Sequence, residues 1–118
     1  MGKVIDLTSK VEKLEITEKK YGVHISGMYC SVEANNYSDD VSYEVKCNGE
    51  ITGEEILTDI AVKCTAYDDK ERVLGEDSKY FSRGTFSKFD TFVLCFNINS
   101  KPAKCKLFII KSWTHGGI

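Results

Sequence analysis

Phe92-Val93-Leu94-Cys95-Phe96-Asn97-Ile98 decides the fold. Phe92, Leu94, Phe96 and Ile98 alternate with Val93, Cys95 and Asn97, the period of a strand with one face in a core. After Asn99-Ser100-Lys101-Pro102 the run Cys105-Lys106-Leu107-Phe108-Ile109-Ile110-Lys111 is almost wholly apolar, which predicts a strand covered on both faces. Upstream, Ile60, Val62, Cys64 and Ala66 face one way, and Asp68-Asp69-Lys70-Glu71 turns the chain into Arg72-Val73-Leu74-Gly75. Val41, Tyr43, Val45 and Cys47 alternate with Ser42, Glu44 and Lys46. Asn48-Gly49 then predicts a type I′ hairpin, with 50–56 returning as a short acidic edge strand.

Toward the N-terminus, Val23 and Ile25 share one phase while Met28, Cys30 and Val32 share the other. Gly27 at the switch predicts a β-bulge. Asn35 to Asp40 has the composition of a loop. Residues 11–17 alternate at Leu14 and Ile16 and are assigned a strand, with Lys19-Lys20-Tyr21-Gly22 as the turn that follows. A helical alternative exists, because Val4, Leu7, Val11 and Leu14 recur at helical spacing and Ser9 with Glu12 resembles a capping box. The sum is an all-β chain, an immunoglobulin- or fibronectin-III-like antiparallel sandwich of seven or eight strands. It forms one domain over residues 1–118, with 1–10 as a flexible arm and 112–118 as a tail, frayed or docked by Trp113.

Composition narrows the function classes. The 118 residues are 42% hydrophobic and 11% aromatic at a net charge of −2, with nine glycines and one proline, which excludes disordered and collagen-like chains. No run reaches the roughly 20 apolar residues of a membrane helix. A pI near 5.7 without a basic block argues against nucleic-acid binding. The N-terminus lacks the apolar stretch of a signal peptide, and Asp6 stands where a myristoylation motif needs Ser or Thr. Cys30, Cys47, Cys64, Cys95 and Cys105 are odd in number, form no C-x-x-C, and sit in apolar or alternating runs. The expectation is five free thiols in a reducing cytoplasm, with one or two disulfides as the alternative.

Residues 59–98 carry a resemblance. Ile60-Ala61-Val62-Lys63-Cys64-Thr65-Ala66-Tyr67-Asp68, then Val73-Leu74-Gly75, then Phe86 through Phe96 resemble the second half of FxLYD-type bacterial domains. In that family an apolar strand ends in Tyr-Asp, turns, and returns through a Val/Leu-Gly step. The likeness covers about a third of the chain. Glu71-Arg72 stands where a glycine usually makes the turn, and Asn48-Gly49 adds a hairpin. The resemblance implies an immunoglobulin-like sandwich and a non-catalytic accessory module.

Site chemistry is sparse. His24 lies in a strand two residues from Ser26; side chains so placed are about 7 Å apart and parallel, poor geometry for proton transfer. His115 lies in the tail. The acidic pairs Asp39-Asp40, Glu54-Glu55, Asp68-Asp69 and Glu76-Asp77 fall in turns or strand edges. They read as solvated turn residues, or as loop ligands for Ca²⁺ if two turns meet. Cys47 and Cys64 share the inward phase of their strands, so core packing outweighs metal ligation. No phosphate-binding glycine motif occurs.

One stretch is richer. Residues 79–92 hold five of the chain's twelve Phe and Tyr residues among Lys79, Arg83 and Lys88. Phe81 and Phe92 are expected inward. Tyr80, Phe86, Phe89, Arg83 and Lys88 are the candidate interface, against the plainer alternative that the rings plug one end of the sandwich. The expected function is a non-catalytic interaction module that offers a strand edge or this loop to a protein partner or a second copy. Catalytic, metal and cofactor residues are expected to be none. The alternative is a small-ligand or Ca²⁺-binding sandwich built on loop carboxylates.

Overall fold

The computed structural model describes residues 4–37 and 40–112. Eight strands form two four-stranded sheets packed face to face, and the all-β sandwich read from the sequence is the fold. The strands are β1 (Val4–Asp6), β2 (Val11–Lys13), β3 (Val23–Tyr37), β4 (Asp40–Gly53), β5 (Ile60–Tyr67), β6 (Val73–Phe81), β7 (Phe89–Ile98) and β8 (Lys104–Lys111). One helix, α1 (Glu15–Tyr21), follows β2, and a 3₁₀ turn, Thr8–Lys10, precedes it. The first sheet has the order β1-β3-β4-β7 and the second β2-β8-β5-β6. All pairs are antiparallel except β2 with β8.

Alternation places the core. Ile25, Cys30, Val45, Cys47, Ile51, Phe92 and Leu94 of the first sheet meet Ile60, Val62, Cys64, Ala66, Cys105, Leu107 and Ile109 of the second, all buried. The phase switch in β3 is real: its register with β4 shifts between Ser26 and Tyr29, and Gly27 has φ +61°, a conformation that suits glycine. At the Asp68–Glu71 turn no glycine is used. Glu71 itself takes φ +62°, while Asp68 Oδ1 accepts the amides of Lys70 and Arg72.

Four expectations need correction. Asn48-Gly49 makes no hairpin: β4 runs straight through, with Asn48 opposite both Tyr29 and Val93. Residues 50–53 are therefore central in the first sheet, not an edge. Gly49 answers a close approach instead, because a Cβ there would lie 2.9 Å from Cζ of Phe92 and 3.2 Å from the Ser26 carbonyl oxygen. Residues 11–17 are not one strand; β2 is short, and α1 begins at Glu15. Glu15 and Glu18 lie in its first turn and Lys19 and Lys20 in its last, each favoured by the helix dipole, and Ile16 points outward at 77% exposure. β8 is buried on one face only, with Phe108 and Ile110 half-buried on the other. Asn35, expected in a loop, pairs with Ser42 inside the β3–β4 ladder.

Residues 4–10, expected as an arm, form β1 and the 3₁₀ turn, with Leu7 buried in the core. The expected tail, Trp113 and His115 included, lies outside the described residues apart from Ser112, as does Asp39.

Candidate functional site

The residues singled out between 79 and 92 are not brought into one patch. Phe81 is 4% exposed and Phe92 1%, as their phase requires. Tyr80 stands on the outer face of the second sheet, opposite Ala61. Phe89 stands on the outer face of the first sheet, opposite Thr52. Phe86 turns inward, half-buried, with its ring edge-on to Phe81 at 5.9 Å and 79°. That plug is fixed by the Ser82 carbonyl, which accepts the amides of Thr85 and Phe86. Arg83 is exposed, and its amide donates to Asp59. Lys88 has φ +70° and a long ion pair, 3.9 Å, with Glu54.

On both flanks side chains bond to individual edge groups of the strands. On the β6–β7 flank, Asp77 Oδ2 accepts the Cys95 amide of β7 at 3.0 Å, and Asp77 Oδ1 accepts the Ser78 amide of β6 at 2.8 Å. Lys79 Nζ donates to the Thr91 carbonyl. On the α1 flank, Glu18 Oε1 accepts the Ile25 amide at 2.9 Å, and Lys13 Nζ donates to the Ile25 carbonyl at 2.7 Å. Two side chains there take the place of a neighbouring strand. Five residues along β3, the Thr8 hydroxyl accepts the Cys30 amide and the Leu7 amide donates to the Cys30 carbonyl. Thr17 does the same for β8: its Oγ1 accepts the Ile109 amide and donates to the Leu14 carbonyl. At these positions the edge groups are not available for another strand to pair with.

Glu18 is the residue that sequence reasoning missed. It is 3% exposed, and its Oε1 also lies 3.4 Å from Nδ1 of His24 and 3.7 Å from Nζ of Lys13. Its Oε2 is buried without a partner. Glu18, Glu15 and His24 line a shallow cavity of about 240 Å³, and a second cleft of about 380 Å³ runs between Lys19–Gly22 and Glu55–Thr58. His24 itself is exposed on the outer face and has no nucleophile on it.

Four of the five cysteines meet in the centre of the core. Cys30 and Cys47 come from the first sheet, Cys64 and Cys105 from the second, all 0% exposed. Their thiols contact in a ring, Cys30 to Cys47 to Cys64 to Cys105 and back. Hydrogen bonding to Cys105 and Cys47, with burial added, pushes the Cys30 and Cys64 thiols well above the ordinary cysteine value. Both are thiols at neutral pH, and inert ones. Among the described residues no group of three or more His, Cys, Asp or Glu side chains is arranged to hold a metal ion. Of the acids that sequence alone left open as ligands, Asp68 pairs with Arg72, Glu76 with Lys63, Glu54 with Lys88, and Asp77 bonds the amides of Ser78 and Cys95. The phase of Cys47 and Cys64 was readable. Their convergence with Cys30 and Cys105 depends on register, which no local pattern encodes.

What is left open is a face. On the outer side of the first sheet Val93 is 59% exposed, Phe89 52% and Tyr29 45%. Tyr29, Asn48 and Val93 make one cross-strand row, and His24, Thr52 and Phe89 another. On β4 Glu50 lies between the two rows, and Lys46 and Glu44 continue the same face beyond the Asn48 row. Among the described residues no helix is long and apolar enough to cross a membrane. Comparison with family models, with curated proteins and with solved structures found no match to this chain.

Proposed function

We propose that the chain is a non-catalytic protein-interaction module that engages a protein partner, or a second copy, through the outer face of its first sheet. The observation that carries this reading is the exposure of Val93, Phe89 and Tyr29 on one face of the first sheet, with edge groups on both flanks already bonded to side chains. Tyr29 on one side and Val93 and Phe89 on the other flank a polar column on β4, Glu44, Lys46, Asn48, Glu50 and Thr52. That mixture is in keeping with non-obligate interfaces, which are about as apolar as the rest of a protein surface. The reading moves the contact away from the 79–92 loop, of which it keeps Phe89.

The chain path supports an immunoglobulin-like assignment within this proposal. Immunoglobulin strands A, B and E share one sheet, and C, F and G the other. Here β3, β4 and β7 stand in the first three places, β5 and β8 in those of C and F, and β6 in that of C′. The place of G is taken by β2, parallel to β8 where G would be antiparallel. Five free thiols support a reducing compartment such as the cytoplasm.

The test compares wild type with Val93→Glu and Val73→Glu, two substitutions at equally exposed valines. Sedimentation equilibrium and affinity capture are run on all three. The proposal expects Val93→Glu alone to abolish self-association or partner capture. Equal behaviour of the two variants rejects the face.

A further inference from the structure

The cysteine ring holds one pair whose geometry differs from the rest. Cys30 and Cys47 are directly opposite in the β3–β4 ladder, both facing the core. The Cys30 amide and carbonyl point away from β4, to Thr8 and Leu7. The other side of β4 agrees. The Cys95 amide leaves β7 outward to Asp77, so its neighbour Leu94 turns toward β4 and bonds Cys47. Cys30 and Cys47 therefore form a non-hydrogen-bonded antiparallel pair, the kind with Cα atoms about 4.5 Å apart and side chains closest together. A disulfide accepts Cα separations of about 4.4–6.8 Å.

The second sheet offers no such pair. Cys64 lies opposite Leu107, and Cys105 opposite Ala66, so the two cysteines are diagonal neighbours. Diagonal positions are about 7–8 Å apart, past the reach of a disulfide without backbone movement. The remaining sides of the ring join strands of different sheets, whose backbones are about 10 Å apart, so none of them has the direct ladder pairing of Cys30 with Cys47.

We propose that Cys30 and Cys47 are a disulfide-forming pair, joined across β3 and β4 when the chain folds against a disulfide oxidant such as oxidised glutathione, while Cys64 and Cys105 stay thiols. This inference is independent of the interaction reading. One cysteine thiolate attacks the glutathione disulfide and releases one glutathione thiolate. The second cysteine thiolate attacks the mixed disulfide and releases the other. One S–S bond forms and one breaks, two cysteine thiols give up two electrons and two protons, and two molecules of reduced glutathione leave. Burial of the pair in the finished core makes folding, or transient opening of the three-residue β1 edge, the moment of reaction.

The experiment refolds the full chain from denaturant in a reduced/oxidised glutathione buffer. The soluble folded fraction is taken, its remaining thiols are alkylated in denaturant, and the peptides are mapped by mass spectrometry. The expected map has a Cys30–Cys47 linked peptide, loss of alkylation at those two residues, and alkylation kept at Cys64 and Cys105. Cys95, exposed on the outer face, is scored apart. Cys64→Ala retains the link and Cys47→Ala removes it; should either fail to refold, the wild-type map decides alone. Alkylation of all four core cysteines overturns the proposal, and so does any link from Cys30 or Cys47 to Cys64 or Cys105.

Discussion

On the β6–β7 flank a half-buried carboxylate, Asp77, uses one oxygen for each sheet, and both oxygens are satisfied. On the α1 flank a buried carboxylate, Glu18, uses one oxygen for the Ile25 amide and leaves the other without a partner. The device is the same, a side chain bonded to a strand edge that would otherwise be open. The setting is not. Asp77 works where water can replace it, whereas loss of Glu18 strands an amide in the interior, and an unsatisfied buried donor costs more than an exposed one. Burial, rather than the number of hydrogen bonds, sets what each flank contributes.

The largest expected effect calibrates the comparison against the core. Phe92→Ala removes a ring that packs over Gly49 and costs about 3–5 kcal/mol. Phe86→Ala, which loses the edge-on contact with Phe81, costs about 1–2 kcal/mol, and Phe89→Ala less than about 0.5 kcal/mol. Urea midpoints of the three variants check the order. Equal losses at Phe86 and Phe89 would place Phe89 in the core and remove it from the proposed face.

Next come the flanks themselves. Glu18→Ala costs about 2–3 kcal/mol, because the Ile25 amide is left buried and unbonded. Asp77→Ala costs about 1 kcal/mol, since water reaches the freed amides. Denaturant melts of the two variants side by side are the check. Reversal of the order breaks the argument from burial.

The smallest expected effect concerns pH. The Arg72 amide, opposed by desolvation and joined by the Arg72 guanidinium and the Lys70 amide, holds the Asp68 carboxyl below the usual carboxylate range. A depressed folded pKa contributes stability above the unfolded value, about 3.9 for Asp, that is lost as pH falls through the folded one. The melting-temperature gap between wild type and Asp68→Asn is therefore steady above about pH 5 and narrows below about pH 4. A gap that widens on acidification contradicts this assignment.

The interior was legible and the flanks were not, for a physical reason. Phe92, Leu94 and Ile98 alternate because one face of β7 is buried, and the sequence states that directly. Gly27 marks its bulge in the same local way. Asn48-Gly49 misleads because a turn and a close ring contact both select glycine, and only the distance to Phe92 separates them. Glu18 reads as one more helix charge. Its burial comes from tertiary packing of α1 against β3 and β8, with no trace in the residues beside it. The Phe86–Phe89 pair was split for a like reason: three residues apart in a turn, they face different ways once Ser82 fixes the bend.

Native-state hydrogen exchange on single amides tests the closed flanks most directly. The amides of Ile25, Cys30 and Ile109, each bonded to a side-chain oxygen away from bulk water, are predicted to exchange as slowly as interior ladder amides. That of Cys95, bonded to Asp77 at an exposed position, is predicted to exchange more slowly than an open edge but faster than these three. Glu18→Ala is predicted to accelerate Ile25 and leave Cys95 unchanged, while Asp77→Ala does the converse. Exchange of these four amides at the rate of open strand edges in wild type would contradict the closed flanks.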